Sequence, residues 1–244
     1  MKNVKLLIQY EGTNYSGWQS QTNALGIQQV IEESLERITN ESISLKASGR
    51  TDGGVHALGQ VANFYTDSSI PGYRFKYPLN ISLPDDIRII DSQTVDMDFN
   101  SRHDAIKKKY KYLIYNSPME NPIYRNFSYY VARDLDIRQM ESSFPYLIGI
   151  HDFKSFMGPR TEVNSTIRHI YSMELEQKED LIEIIIKGNS FLRHMIRIII
   201  GTLVHIGLGK IKKEDLPKII QGKDRSLAGP TAPAQGLFLD KVYY

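Results

Sequence analysis

The chain has 244 residues, with 30 Lys and Arg against 28 Asp and Glu, a formal net charge of +2, and no cysteine. Hydrophobic residues make up 41% and charged residues 24%, a balance typical of one large globular domain or of two small ones. The lack of cysteine excludes disulfides and thiolate metal sites. The small positive charge is compatible with a nucleic-acid partner, but only its distribution along the chain can indicate one.

Nothing in the sequence predicts export or a membrane partner. The first residues run directly into an alternating apolar pattern, without the apolar core of a signal peptide or an Arg-rich transit segment. The longest uncharged apolar run, residues 198–209, is shorter than the about 20 residues that a bilayer crossing needs. We therefore expect a cytoplasmic protein with no membrane partner.

The first part of the chain alternates between strand and helix patterns. Residues 5–10 predict a strand that enters a turn at Gly12, and apolar residues at helical spacing predict an amphipathic helix over 27–38. The further elements predicted here are strands over 43–47, 60–66 and 87–95 and a short helix over 73–81. Residues 49–56 therefore form a loop held between two strands, where a scaffold can aim a side chain.

The charge density rises near residue 105, and we divide the chain there into halves 1–104 and 105–244. Residues 107–115 have the composition of a strand. Its alternation places Tyr110 and Tyr112 on one face, with Lys109 and Lys111 on the other.

The remaining elements repeat the order of strand, helix and strand. They are a helix over 136–147 interrupted by Pro145, strands over 167–175 and 181–187, an apolar helix over 192–206, a short helix over 213–221 and a closing strand over 237–243. Strands that run in pairs with helices between them predict an α+β fold with a largely antiparallel sheet.

One loop concentrates groups that suit chemistry. Residues 49–56, GRTDGGVH, hold one carboxylate, one guanidinium and three glycines within a single turn. Glycine permits left-handed backbone and close approach of a substrate. A catalytic Asp52 fits this pattern, and so does an ordinary surface turn, because Gly and Asp are common in turns.

Two other features have a functional interpretation, RNA contact for one and a buried ion pair for the other, each beside a plainer alternative. The basic residues of 107–111 alternate with tyrosine, whose ring can stack on unpaired bases, although a solvated basic strand has the same composition. Arg197 lies in an apolar helix, where burial of its charge is costly unless a carboxylate pairs with it. The alternative for Arg197 is that it extends to the surface.

The octapeptide 49–56 resembles the G-R-T-D-x-G-V-H signature of the TruA family of tRNA pseudouridine synthases. Further stretches resemble the family in the same order, namely residues 10–19, 108–112, 189–197 and 231–237. The resemblance implies the pseudouridine synthase fold, in which two similar α/β halves share a mostly antiparallel central sheet with a basic cleft between them.

The resemblance also implies roles for individual residues. Asp52 is the expected catalytic carboxylate, Arg197 its ion-pair partner, Arg50 the residue that fills the space left by a flipped base, and Tyr110 the ring that stacks on the flipped uracil. Further substrate contacts are expected from Gly49, Gly54, His56, Phe191, Lys109 and Lys111. One departure is Gly53, where the family usually has alanine.

The implied function is isomerisation of uridine to pseudouridine in the anticodon stem-loop of tRNA, at positions thirty-eight, thirty-nine and forty, by a homodimer. This reaction needs no cofactor and no metal. The alternative is a non-catalytic RNA-binding protein on the same scaffold. A glycoside hydrolase is a third possibility, but it normally uses two carboxylates, and the turn supplies only Asp52.

Overall fold

The computed structural model describes residues 1–19, 24–159, 161 and 163–244. These residues divide into two compact units, one formed by Met1–Ile106 with Phe238–Tyr244 and the other by Lys107–Leu237. The sequence-based division at residue 105 and the structural division at residue 107 differ mainly in the last strand. That strand belongs to the first unit, because its backbone pairs with a strand there.

The first unit is a sheet with two helices. Its elements, numbered in chain order, are β1 (Lys2–Tyr10), α1 (Ile27–Thr39), β2 (Lys46–Ala47), β3 (His56–Thr66), α2 (Lys76–Ser82), β4 (Ile87–Val95) and, at the end of the chain, β10 (Leu237–Tyr243). The strand order is β4-β1-β3-β10, with β2 also on β3. Pairing is antiparallel except between β3 and β10.

Alternation along β1 supplies the core of this unit. Val4, Leu6 and Ile8 are completely buried, whereas the residues between them are partly exposed. Helix α1 buries the apolar stripe that its sequence predicts, including Ile27 and Ile31. The predicted helix over 27–38 is therefore confirmed, and its hydrophobic face is what fixes it to the unit.

The second unit contains strands β5 (Lys107–Asn116), β6 (Tyr129–Val131), β7 (Gly149–Asp152), β8 (Ile167–Lys178) and β9 (Leu181–Gly188), with helices α3 (Ile137–Glu141), α4 (Phe144–Leu147), α5 (Met195–Gly207) and α6 (Leu216–Gly222). The strand order is β5-β9-β8-β7, antiparallel throughout, and β6 pairs in parallel with β5. The predicted α+β class with mostly antiparallel pairing is confirmed.

Helix α5 is the buried centre of the second unit. It starts at Met195 instead of the predicted residue 192, because His194 has a left-handed backbone with φ of 60° that cannot continue the helix. A Cβ atom on Gly201 would overlap the carbonyl oxygen of Pro230. Glycine at this position therefore allows the segment around Pro230 to cross the helix in close contact.

Some of the other predicted elements have the expected bounds, and others need correction. Strands over 87–95 and 237–243 have the predicted bounds, but only Lys46–Ala47 of the predicted strand 43–47 pairs. The predicted helix 136–147 is two short helices, α3 and α4, with Pro145 in the first turn of the second. Strands β6 and β7 are too short to have given a periodic signal.

None of the helices in the described part of the chain is both long enough and apolar enough to cross a membrane.

Candidate active site

The loop that carries Asp52 connects β2 to β3 and is fixed at its base by a buried glutamine. Gln60 accepts a hydrogen bond from the Ser48 hydroxyl at 2.7 Å and donates one from Nε2 to the Gly49 carbonyl at 2.9 Å. At the tip, the Val55 amide donates to the Asp52 carbonyl at 3.2 Å and closes a turn. The backbone on both sides of Asp52 is therefore constrained by hydrogen bonds.

Residues 10–18, which begin at the last residue of β1, lie directly against this loop, and we call them the first segment. The Trp18 amide donates to the Thr51 carbonyl at 3.1 Å, and the Gly54 amide donates to the Tyr15 carbonyl at 3.2 Å. The Tyr10 hydroxyl and the Thr51 hydroxyl form a buried hydrogen bond of 2.7 Å. Thr51 and Gly54, the residues on either side of Asp52 and Gly53, are therefore hydrogen-bonded to residues 10–18.

Two glycines make this close approach possible. A Cβ atom on Gly12 would overlap the carbonyl oxygen of Val55, and one on Gly17 would lie 2.5 Å from the carbonyl oxygen of Thr51. Gly17 also has a φ of 97°, a backbone region that other residues rarely adopt. The glycines of the first segment are therefore required by the loop that they contact.

The side chain of His56 supports the loop from inside the unit. It is 1% exposed, its Nδ1 accepts a hydrogen bond from the Gly12 amide at 3.0 Å, and its ring stacks on Phe238 at 4.7 Å. An accepting Nδ1 carries no proton, so the ring in this arrangement is the neutral tautomer protonated at Nε2. This burial and the bond from Gly12 give His56 a structural role beside the loop.

A residue that sequence reasoning missed, Asp86, anchors the first segment. Its carboxylate accepts hydrogen bonds from the Tyr15 hydroxyl at 2.5 Å and from the side-chain Nδ2 of Asn14 at 3.3 Å. Its backbone carbonyl accepts from the backbone amide of Glu11 at 2.9 Å. Burial, followed by the bond to Asp86, raises the pKa of the Tyr15 phenol above its ordinary value. The hydroxyl therefore keeps its proton and remains a donor.

The functional side chains of this loop differ in exposure. Asp52 is half-buried and Arg50 is exposed, while the adjacent Thr51 and Val55 are buried. The loop is thus attached through buried apolar and hydroxyl side chains, whereas Arg50 is exposed to solvent.

In the second unit, the structure brings Tyr110 and Phe191 together. Their rings meet edge to face, with centroids 5.3 Å apart and planes at 84°, a favoured geometry for aromatic pairs. A Cβ atom on Gly188 would lie 2.9 Å from the Phe191 ring, so the glycine that ends β9 leaves room for it. We refer to Tyr110 and Phe191 as the aromatic pair.

Lys109 and Lys111 lie on the opposite face of β5 from the aromatic pair, as the alternation predicts. Lys111 forms an ion pair with Glu183 at 3.5 Å. A hydrogen bond from Lys187 lowers the pKa of Glu174 below its usual value, and the charge of Lys109 adds to this effect. Both lysines therefore belong to a surface of mixed charge, on the face of β5 opposite to Tyr110.

Arg197 lies in the first turn of α5 and is fixed by the segment 231–237. Its Nε donates to the Ala232 carbonyl at 2.8 Å, and the Ala232 amide donates to the Arg197 carbonyl at 3.0 Å. The nearby Tyr112 hydroxyl donates to the Pro233 carbonyl at 2.8 Å. Burial raises the pKa of Tyr112 well above its ordinary value, while the positive charge of Arg197 acts in the opposite direction.

The reciprocal bonds to Ala232 argue against an Arg197 side chain that merely extends into solvent. Arg197 is half-buried, and the hydrogen bond from its Nε to Ala232 orients the guanidinium. Such an orientation suits the recognition of a carboxylate by paired N–H donors.

Among the residues that the structure describes, no three His, Asp or Glu side chains are arranged to hold a metal ion.

Comparison with known proteins defines the class of enzyme. A family model described as tRNA pseudouridine synthase matches residues 6–104 and 144–244. Relatives named tRNA pseudouridine synthase A align over the full length of this chain and over their own full length. They include those of Acetivibrio thermocellus at 48% identity over 244 residues, Ruminiclostridium cellulolyticum at 49% over 245, and Thermoanaerobacter sp. strain X514 at 45% over 244.

The chain belongs to the tRNA pseudouridine synthase family. It is an isomerase that converts uridine to pseudouridine in tRNA. The alternative of a non-catalytic RNA-binding protein is not favoured.

A matched pair of glycine variants tests the contact between the first segment and the loop. Gly12→Ala should lower the free energy of unfolding by about 1–3 kcal/mol, because its Cβ would overlap Val55. Gly53→Ala should raise it by about 0.4–1 kcal/mol, because its Cβ would meet only ordinary contacts at 3.5 Å and its φ is not left-handed. Urea unfolding measures both.

Turnover should follow the same order, with Gly53→Ala retaining activity and Gly12→Ala losing it. Equal stability and equal activity of the two variants would contradict the close contact.

Proposed function

We propose that this enzyme modifies uridines of the anticodon stem-loop, at positions thirty-eight, thirty-nine and forty of the tRNA, and that Asp52 is its catalytic carboxylate. The observation that carries the proposal is the fixing of the loop around Asp52. Thr51 accepts a hydrogen bond from the Trp18 amide and shares another with the Tyr10 hydroxyl. Gln60 donates to the Gly49 carbonyl, and the Gly54 amide donates to the Tyr15 carbonyl, while Asp52 itself is half-buried. Such rigid support is what a positioned catalytic group needs.

The reaction requires one well-placed carboxylate. The N1–C1′ bond of uridine breaks, the base turns over, and C1′ joins C5, whose proton leaves while N1 gains one, so that the reaction is balanced without an oxidant or reductant. A carboxylate can attack as a nucleophile, stabilise the cation that forms on the sugar, or accept a proton. Asp52 fits all three of these roles, and each of them depends on its aim.

The aromatic pair suits a flipped uracil. Tyr110 is 9% exposed, and its edge-to-face contact with Phe191 fixes the orientation of its ring. A ring that is already oriented loses less entropy when a base stacks on it. We assign to Tyr110 the stacking on uracil and to its hydroxyl a part in removing the C5 proton.

Two arginines complete the proposed catalytic set. We assign to Arg197 an ion pair with Asp52, because its orientation through Ala232 prepares the guanidinium for a carboxylate. Arg50 is exposed and stands two residues from Asp52. It can therefore occupy the space that the flipped base leaves, which offsets part of the few kcal/mol lost by unstacking.

The remaining contacts are assigned according to their exposure. Gly49 and Gly54 offer backbone that a substrate can approach closely. Lys109 and Lys111 are assigned to phosphates of the tRNA, on a different face from Tyr110. We leave His56 out of the substrate contacts because its ring is buried.

We infer from the family resemblance that the enzyme acts as a homodimer in the cytoplasm, where its tRNA substrate is processed.

Asp52→Asn tests the catalytic assignment. Removal of the charge should reduce turnover by about 100- to 10,000-fold, because the amide can neither attack the sugar nor accept a proton. Release of tritium from tRNA labelled at C5 of uracil measures turnover directly, because the new bond to C1′ replaces the bond to tritium. Affinity for tRNA should stay within about tenfold of the wild type, because binding uses other contacts.

Asp98→Asn is the matched control, because its exposed side chain lies in the same unit outside the loop and outside residues 10–18 that contact it. Sequencing of the product maps the modified position. Undiminished tritium release by Asp52→Asn would reject Asp52 as the catalyst, and release from outside the anticodon stem-loop would reject the proposed substrate site.

Arg197→Lys tests the oriented guanidinium separately from its charge. Lysine keeps the positive charge but cannot donate to Ala232 and to a carboxylate with fixed geometry. We expect turnover to fall by at least about tenfold, corresponding to 1.4 kcal/mol, with the fold retained in circular dichroism. Arg193→Lys, in the exposed turn just before the helix, should retain turnover. Equal turnover of both variants would contradict the proposed role of Arg197.

A further inference from the structure

A surface of the first unit lies outside the groups assigned to catalysis. Between β3 and β4, the turn Gly72–Arg74 leads into α2, and the side chains of Tyr73, Tyr77 and Ile81 are 58%, 61% and 87% exposed. Their spacing of four residues places them on one side of the turn and helix. We call these three residues the tyrosine face.

The opposite side of the same segment is buried, so the exposure of the tyrosine face is a fixed property of the fold. Phe75 and Leu79 are completely buried, and Phe75 packs edge to face on Phe64 at 5.2 Å. The side chain of Asn80 makes two hydrogen bonds of 2.8 Å with the backbone of Ile89 in β4. The helix therefore holds the tyrosine face in one orientation.

Positive charge accompanies the exposed rings. The Arg74 guanidinium lies 5.7 Å from the centre of the Tyr73 ring, and Lys76 Nζ lies 5.6 Å from that of Tyr77. Lys76 also forms an ion pair with Asp91 at 3.3 Å. Residues 68–84 contain no Asp or Glu, so Arg74 gives the surface an excess of positive charge.

The rings and the cation border a groove of about 530 Å³, lined by Ile70, Tyr73, Arg74, Tyr77 and Pro78. The groove is open to solvent, which suits contact with one exposed group of a larger ligand. It thus combines flat aromatic walls with an arginine at its edge.

We propose that the tyrosine face is a second contact site for tRNA, which takes an unstacked base between the tyrosine rings and a phosphate on Arg74. Base stacking on aromatic rings together with backbone contact by basic residues is the chemistry by which proteins hold unpaired nucleotides. Charge complementarity favours a polyanion over a second copy of this near-neutral chain. The inference rests on the tRNA substrate and is independent of the role of Asp52.

The double variant Tyr73→Ala/Tyr77→Ala tests the proposal. Removal of both rings should weaken binding of full-length tRNA by about ten- to a hundredfold, as loss of base stacking does elsewhere, and raise KM with kcat unchanged. Tyr73→Phe/Tyr77→Phe keeps the stacking surface and should bind within about twofold of the wild type. Tyr171→Ala, at an exposed tyrosine of the second unit, is the control for loss of a surface ring.

Arg74→Ala gives an independent measurement that leaves the tyrosines in place. It should lower the slope of log Kd against log salt by about one, the effect of a single lost phosphate contact. Light scattering on each variant should give the wild-type mass. Unchanged tRNA affinity in both the double alanine variant and Arg74→Ala would overturn the proposal, and so would a fall in mass, which would assign the face to a second copy of the chain.

Discussion

The site depends on a close contact between two stretches of backbone that are far apart in sequence. Residues 10–18 and 49–56 approach so closely that Gly12 and Gly17 have no room for a side chain. Hydrogen bonds from the backbone amides of Gly12, Trp18 and Gly54 then fix the register of one stretch against the other. Because Asp52 lies within this contact, its position is set by packed backbone and does not rely on the rigidity of a free loop.

The second unit uses the same principle for its own functional residues. Arg197 and Ala232 exchange hydrogen bonds between a helix and the segment that crosses it, and Gly201 permits the crossing. Tyr110 is fixed by Phe191 in a comparable way. Sequence motifs that are separate along the chain are thus paired in space, and each pair consists of a functional residue and the segment that orients it.

This pairing explains why the motifs contain glycine and aromatic residues. The glycines allow approach, the aromatic side chains fill the space beside it, and the charged residues are left for the substrate. Asp86 belongs to the same system, because it bonds Tyr15, whose carbonyl in turn accepts from Gly54. A residue remote in sequence from the signature therefore contributes to the aim of Asp52 through one intervening side chain.

Much of this architecture follows from periodicity, and the exceptions have physical causes. Long amphipathic elements such as α1 and β4 were predicted well because many residues share the pattern. Strand β7 and the late start of α5 were not predicted. Strand β7 has only four residues, too few for a periodic signal, and no local sequence pattern indicates the left-handed backbone of His194. The alternation of β5 correctly separated Lys109 from Tyr110.

The candidate site was harder to predict than the fold. The motifs indicated Asp52 and Arg197 through family resemblance, but which neighbours are buried depends on tertiary contacts. His56 looked like a substrate contact in the sequence, whereas the structure buries its ring against Phe238. Asp86 follows a proline-containing turn with no distinguishing pattern, and its role is visible only when the hydrogen bonds of Tyr15 are known.

Hydrogen exchange at the amides of Gly12, Trp18 and Gly54 would test the contact between the two stretches most directly. Each amide donates a hydrogen bond across it, to His56, Thr51 and Tyr15 respectively. The account predicts that all three exchange slowly and with similar protection, because they become exposed in one common opening event. Exchange of these amides at the rate of an unstructured peptide would show that the loop is not held, and would contradict the account.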